Sequence, residues 1–217
     1  MDSNFKTDYL RKSLADMGIR PHVQVVNDFV RFHKFLMSWN SKLNLTAVTN
    51  WEESVERHYL DSASISLGYP FNTHLSPKYV KVLDVGSGAG FPGIPLKILF
   101  PDIRLTLLDS VNKKTDFLER AVSHLGLDFT CVQRERAEDL GRIDMHRDAY
   151  DLVVARAVSK LNVLAELTIP FCKIGGYVIA MKGQKVESEI IASTEAITAL
   201  GGEIVEVIDC NRFHRFL

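Results

Sequence analysis

Val80-Lys81-Val82-Leu83-Asp84-Val85-Gly86-Ser87-Gly88-Ala89-Gly90-Phe91-Pro92-Gly93 is the stretch on which the fold turns. A short apolar run with one internal Asp enters three glycines at alternate positions, then a proline of the kind tolerated in a first helical turn. Gly86, Gly88 and Gly90 let the backbone turn sharply and lie against a ligand with no Cβ in the way. A helix behind them offers unpaired N–H groups at its mouth. The pattern predicts the first strand, loop and helix of an α/β sheet, with the loop holding a cofactor.

Downstream, apolar strands alternate with amphipathic helices, the signature of a parallel sheet. A short helix (92–99) ends at Pro101, and strands are expected at 103–109, 129–132, 150–155, 176–181 and 203–209. Helices are expected at 111–125, with Gly126 as its C-cap, near 160–172 and at 185–200. Residues 136–149 read as polar loop. Upstream, residues 1–67 read as helical. Val23, Val26, Phe29, Val30, Phe32, Leu36 and Met37 recur at helical spacing, and Asn40-Ser41-Lys42 is expected to end that helix. A second helix follows over 51–67, with Thr49 or Asn50 as N-cap and Gly68-Tyr69-Pro70 as stop, before a loop containing Asn72, Ser76 and Pro77. The expected organisation is an N-terminal helical extension, residues 1–79, on a cofactor-binding core, residues 80–217.

Composition narrows the function classes. Of 217 residues, 46% are hydrophobic and 24% charged, as in ordinary globular proteins with a real core. No apolar run approaches the roughly 18 residues that span a bilayer, and the N-terminus lacks a signal-peptide pattern. A cytoplasmic protein is expected, without membrane attachment. Cys131, Cys172 and Cys210 are scattered, which argues for reduced, buried thiols and no metal site. Lys and Arg total 26 against 27 Asp and Glu, so any nucleic acid must be met by a local patch.

Two cofactor classes compete for the loop. Gly88-Ala89-Gly90-Phe91-Pro92-Gly93 matches G-x-G-x-x-G, the dinucleotide fingerprint. In that frame, however, the strand would end two residues too early, and Pro92 and Pro95 obstruct a long helix from Gly90. Asp84, just before the first glycine, would repel a pyrophosphate but can accept hydrogen bonds from an amine. That favours S-adenosylmethionine, a cationic cofactor without phosphate. Asp109, at the end of the second strand, suits ribose hydroxyls in either class. A dinucleotide-binding oxidoreductase stays as the alternative.

Together these residues resemble class I adenosylmethionine-dependent methyltransferases over about 80–209. Over nearly the whole chain they resemble the bacterial small-subunit ribosomal RNA guanine-N7 methyltransferases, the glucose-inhibited division protein B family. The pieces are Trp39-Asn40, Asn44-Leu45-Thr46, Arg57-His58-Tyr59-Leu60-Asp61-Ser62, the stretch 84–93, Leu108-Asp109-Ser110 with Lys113-Lys114, Arg136-Ala137-Glu138, Ala155-Arg156-Ala157 and Lys182-Gly183. Their order and spacing carry the match. The resemblance implies a Rossmann-like sheet with helices on both faces. It implies methyl transfer to N7 of a guanine in 16S ribosomal RNA, free or in a small-subunit assembly particle, with S-adenosylhomocysteine as product. It also implies cofactor contacts at Gly86, Phe91, Ala137, Glu138 and Arg156. A monomer is expected. Family members usually continue past the sixth strand into one more, and Asn211 to Leu217 is not strand-patterned, so the last strand is expected to be missing. A methyltransferase of the same fold acting on a small molecule or protein is the other alternative.

Neutral guanine N7 carries an in-plane lone pair, so no general base is needed and catalysis can rest on positioning. Arg156 and Lys182 follow adjacent strand ends and point toward the crevice, where RNA phosphate, the guanine or a methionyl carboxylate would meet them. Arg57 and His58, with Asp61 a turn on, are further substrate-positioning candidates, against the plainer reading of a surface pair on one helix. Lys113 and Lys114 read first as a solvated face, and Trp39 and the aromatics of 29–35 as core.

Overall fold

The computed structural model describes residues 3–69, 71, 79–156, 159–183 and 186–210, with the side chains of 3–6 left aside. The expected loop over 72–78, Ala157 and the tail 211–217 lie outside the described residues. The N-terminal helices are α1 (Ser3–Asp16) and α2 (Val23–Leu43). Next, α3 (Trp51–Ser54) passes through a π-helical turn, Val55–Leu60, into α4 (Asp61–Ala63) and α5 (Ile65–Gly68). The core follows as β1 (Lys81–Val85), α6 (Gly93–Leu99), β2 (Arg104–Leu108), α7 (Asn112–Leu125), β3 (Thr130–Gln133), α8 (Ala137–Leu140), β4 (Tyr150–Arg156), α9 (Leu161–Thr168), β5 (Cys172–Met181) and α10 (Glu187–Ala199).

Among the described residues the five strands form one parallel sheet in the order β3-β2-β1-β4-β5. β1, β2 and β4 are buried on both faces, which explains their near-continuous apolar sequence. Order reverses between β1 and β4, and in such sheets the ligand crevice opens at that switch, beyond the strands' carboxyl ends. Gly86 and Arg156 stand on its two sides.

The extension shares the sheet's core. Leu10, Leu14, Val26, Phe29, Phe32, Leu36, Trp51, Val55 and Tyr59 pack in one cluster with Val82, Ile94, Leu105 and Phe117. Helical spacing puts Val26, Phe29, Phe32 and Leu36 on the inner face of α2. Asn50 caps α3 as expected, its Oδ1 accepting from Glu53 N–H at 2.7 Å. Gly126, at φ 68°, ends α7.

Four expectations need correction. Asn40-Ser41-Lys42 does not end α2, which continues to Leu43 and closes on Asn44 at φ 50°. Asn40 stays helical because its side chain faces inward: Nδ2 donates to the Thr46 carbonyl and Oδ1 accepts from Thr46 N–H, both at 2.9 Å. Asn40→Ala should therefore cost about 1–3 kcal/mol, read as a lower urea midpoint, because it strands buried groups of the 44–46 connection. The stretch read as loop over 136–149 contains α8. Residues 202–210 form no strand; Val205 and Val207 stay exposed, while Ile208 lies beside Gly68. Alternation supplies a β pattern, but a strand also needs a hydrogen-bonding neighbour in register. Finally, the thiols expected to be buried are not: Cys131 is exposed and Cys172 and Cys210 are half-buried, all three free.

Candidate active site

The glycine loop is held by backbone bonds to the neighbouring strand. Gly86 N–H and Ser87 N–H both donate to the Leu108 carbonyl, at 2.8 and 2.9 Å, and Gly90 and Phe91 N–H both donate to the Ser87 carbonyl. This tight turn needs positive φ at Gly86 (74°), Gly88 (58°) and Gly90 (89°). Gly90 is the least replaceable, since a Cβ there would lie 2.5 Å from Ile94 Cδ1. Gly90→Ala is expected to destabilise by about 1–2 kcal/mol from backbone handedness alone. A denaturant midpoint equal to wild type would contradict it.

Two carboxylates brace the loop. Asp109 Oδ2 accepts from Gly88 N–H at 3.0 Å and Oδ1 from Val111 N–H at 2.9 Å, with Lys114 Nζ 3.6 Å from Oδ2. Asp84 is fully buried beneath the loop. Its Oδ2 accepts from Gly93 N–H at 2.9 Å, while Oδ1 has no hydrogen-bond partner among the described residues. Burial pushes the Asp84 carboxyl up to about 7, against the pull of the Gly93 N–H. An open ammonium-binding carboxylate was expected here. Asp84 instead supports the loop from below, because the chain turns back over it from Gly86 onward. Gly93 must be glycine for this, as a Cβ would come within 2.7 Å of Asp84 Oδ2.

Phe91 turns its side chain away from the crevice. Its ring is buried in the extension's aromatic core, 5.5 Å from the Phe32 ring and 4.3 Å from His58. Arg156 lies over that ring at 4.9 Å. Its Nη1 donates to the Arg57 carbonyl at 3.0 Å and to Asp61 Oδ2 at 3.2 Å. A residue of β4 thus fastens the extension to the cofactor loop, across 95 positions of sequence from Asp61.

His58 sits inside this junction. Its Nδ1 is 2.9 Å from the Arg57 carbonyl and its Nε2 2.9 Å from Thr46 Oγ1, so the neutral ring donates at one nitrogen and accepts the Thr46 hydroxyl at the other. Burial, then the Arg156 charge, lowers its pKa to about 4. Of the Arg57-His58 pair, only Arg57 behaves as a surface residue, paired with Glu53 at 3.2 Å. The π-helical turn makes the difference: a widened turn rotates the following side chains relative to a regular helix. Thr46 was visible only as part of a motif, and nothing local marked it as the partner of His58.

The remaining candidates surround the crevice without all joining it. Ala137 and Glu138 open α8, beyond β3, and Glu138 Oε1 accepts from Arg136 at 3.2 Å. The Glu138 carboxyl is held below its usual range by its own backbone N–H and by Arg136. Lys182 is engaged elsewhere: Nζ donates to the Ser159 carbonyl at 2.7 Å and lies 2.7 Å from Glu189 Oε2. It latches the loop after β5 to the loop after β4, so the free strand-end cation expected there is already paired.

The fold and its glycine turn define a class, the Rossmann-like sheet seen in adenosylmethionine-dependent methyltransferases. Solved structures with this fold include the TYW2 protein of M. jannaschii in complex with AdoMet (TM-score 0.50, 17% identity, 61% of this chain and 60% of that one). Another is the [4+2]-cyclase SpnF (TM-score 0.53, 17% identity, 72% and 60%). At such identities the likeness concerns the fold alone. The family follows from sequence. Residues 25–216 match the family model GidB, rRNA small subunit methyltransferase G. Among curated relatives, the ribosomal RNA small subunit methyltransferase G of Alkaliphilus metalliredigens is 43% identical over 91% of this chain and 80% of its own length. The protein of the same name from Staphylococcus epidermidis is 40% identical over 92% and 81%. The chain belongs to the GidB family of small-subunit rRNA methyltransferases.

Proposed function

We propose that this protein transfers a methyl group from S-adenosylmethionine to N7 of a guanine in 16S ribosomal RNA. The observation that carries the reading is the junction at Arg156, where the glycine loop, the strand end of β4 and the family's Arg57-His58-Asp61 segment meet. The residues present fit the cofactor. A Cβ at Gly90 or Gly93 would collide with the turn's own neighbours, so the backbone there stays bare, and the buried Asp84 Oδ1 beneath it has no hydrogen-bond partner among the described residues.

In this reading Gly86, Gly88 and Gly90 present backbone to the methionyl part, and Asp84 tunes it from below. Asp109 meets the ribose, Ala137 and Glu138 border the adenine, and Arg156 meets the carboxylate. When bound, the cofactor supplies a sulfonium-activated methyl group, which the N7 lone pair accepts without a base. The protein's own work is orientation and exclusion of water, effects that together supply much of a barrier reduction when reacting atoms are pre-aligned. The Asp61 charge beside Arg156 keeps the junction near neutral while positive charge passes from cofactor to base. The extension forms one wall of the crevice, and the enzyme acts in the cytoplasm, on free RNA or an assembling particle.

The test is to incubate the protein with labelled S-adenosylmethionine and small-subunit RNA, free or in particles, and to digest for nucleoside mass spectrometry. Label in 7-methylguanine is expected. Label confined to a small metabolite or to protein would refute the RNA assignment, and binding of NADH without S-adenosylmethionine, read by calorimetry, would refute the methyltransferase reading.

A further inference from the structure

We propose that the seam between α2 and α7 is the docking track for the phosphodiester backbone of the substrate RNA, an inference that rests on the RNA reading above. The two helices run antiparallel across it. Arg31 Nη2 donates to the His124 carbonyl at 2.7 Å, Phe35 stacks on His124 at 4.6 Å, and Trp39 lies against Phe117 at 6.1 Å. Arg120 sits over the Trp39 ring at 5.5 Å. Continued by one turn, that antiparallel register pairs position 42 of α2 with position 113 in the first turn of α7, both lysines. The spacings agree: 31, 35, 39 and 42 share one face of α2, and 113, 117, 120 and 124 share one face of α7.

The seam is cationic where it is open. Lys42, Lys113 and Arg120 are exposed, and none has an ion-pair partner among the described residues. The carboxylates nearby are Asp28, which pairs with Arg31, Asp116, which pairs with Arg134, and Glu119. Half-buried Phe35 and Trp39 stand between the cations. Cations interleaved with aromatic faces suit a phosphate backbone carrying unstacked bases. The seam also starts at the site itself, because Lys114 in the first turn of α7 approaches Asp109 at 3.6 Å. A strand lying along it would deliver its end to the crevice. A chain with net charge −1 has no global attraction for RNA, so a local track of this kind is where affinity must come from.

The test uses purified small-subunit ribosomal RNA, with binding followed by fluorescence anisotropy across a salt series. The variants are the single Lys113→Gln and the triple Lys42→Gln, Lys113→Gln, Arg120→Gln. Each removed cation is expected to lower the slope of log affinity against log salt by about 0.7–0.9. The triple variant should lose at least about tenfold in affinity near 0.1 M salt, on the same counterion-release basis. S-adenosylmethionine affinity should not change, and restoring charge with Arg120→Lys should restore part of the slope. Wild-type affinity and slope in both variants would overturn the inference. So would binding lost only on assembled particles with naked RNA still bound, since that marks a protein partner. Wild-type protein that binds the RNA with the expected slope but never methylates it would refute the proposed reaction and leave this surface standing. Methylation unaffected by the triple variant, with unchanged RNA affinity, would refute the surface alone.

Discussion

Arg156→Ala is expected to lower kcat/KM for methyl transfer by about 10²-fold, the penalty typical of an active site displaced by roughly 1 Å. The side chain is four-fifths buried, and its guanidinium serves the Arg57 carbonyl, the Asp61 carboxylate and the Phe91 ring. Alanine removes the fork that holds the extension against the loop, and the loop's far wall is then free to shift. Arg156→Lys keeps the charge but not the planar fork, so it should fall between the two, because the two cations are not interchangeable at stacked, multiply bonded sites. Steady-state kinetics with labelled cofactor, beside calorimetric cofactor affinity, make the comparison. Turnover at the wild-type level in the alanine variant would reduce Arg156 to an ordinary ion pair.

The second large effect is a pair of opposing pH dependences. The Asp84 carboxyl is raised from 3.8 to about 7, so the folded state keeps a proton that the unfolded chain releases. Its contribution to stability is complete below about pH 4 and is lost as pH rises to about 7. His58 is lowered from 6.5 to about 4, so its contribution is complete above pH 6.5 and is lost as pH falls toward 4. Each slope approaches about 1.4 kcal/mol per pH unit at full strength, and over the shared window they oppose each other. Wild-type melting temperature should therefore vary little from these two groups between pH 4.5 and 6.5. Asp84→Asn should uncover a rise across that window, and His58→Gln a fall, each of about 3–5 °C per unit for a chain of this size. Parallel profiles for all three proteins would contradict the assignment.

Much of this architecture is legible locally. Strands β1, β2 and β4 announce themselves because both their faces are buried, and the positive-φ turn at 86–90 allows little but glycine. Helix α7 shows its inner face in Phe117, Leu118 and Ala121, and its end in Gly126. What local pattern misses depends on partners distant in sequence. Asn40 looks like a helix terminator until Thr46 folds back onto it. Lys182 looks like a free cation until Glu189 arrives from α10. Asp84 and Asp109 are both strand-end carboxylates, yet one ends fully buried under the loop and the other clamps its edge. The 203–209 stretch alternates like a strand, and pairing, which alternation cannot specify, is what it lacks.

The rings of Phe32 and His58 both pack against Phe91, joining α2 and the π-helical turn to the glycine loop. Interiors packed at crystal-like density hand a displacement on instead of absorbing it. On the proposed reading, RNA pressing on the extension would also press on the seat of the cofactor, and the two binding events would then share a coupling free energy. Linkage makes that coupling reciprocal: whatever factor RNA imposes on cofactor affinity, the cofactor imposes on RNA affinity. Charged and spent forms of the cofactor that fit the loop unequally would then hold the RNA unequally, and release of the modified strand would be timed by the chemistry.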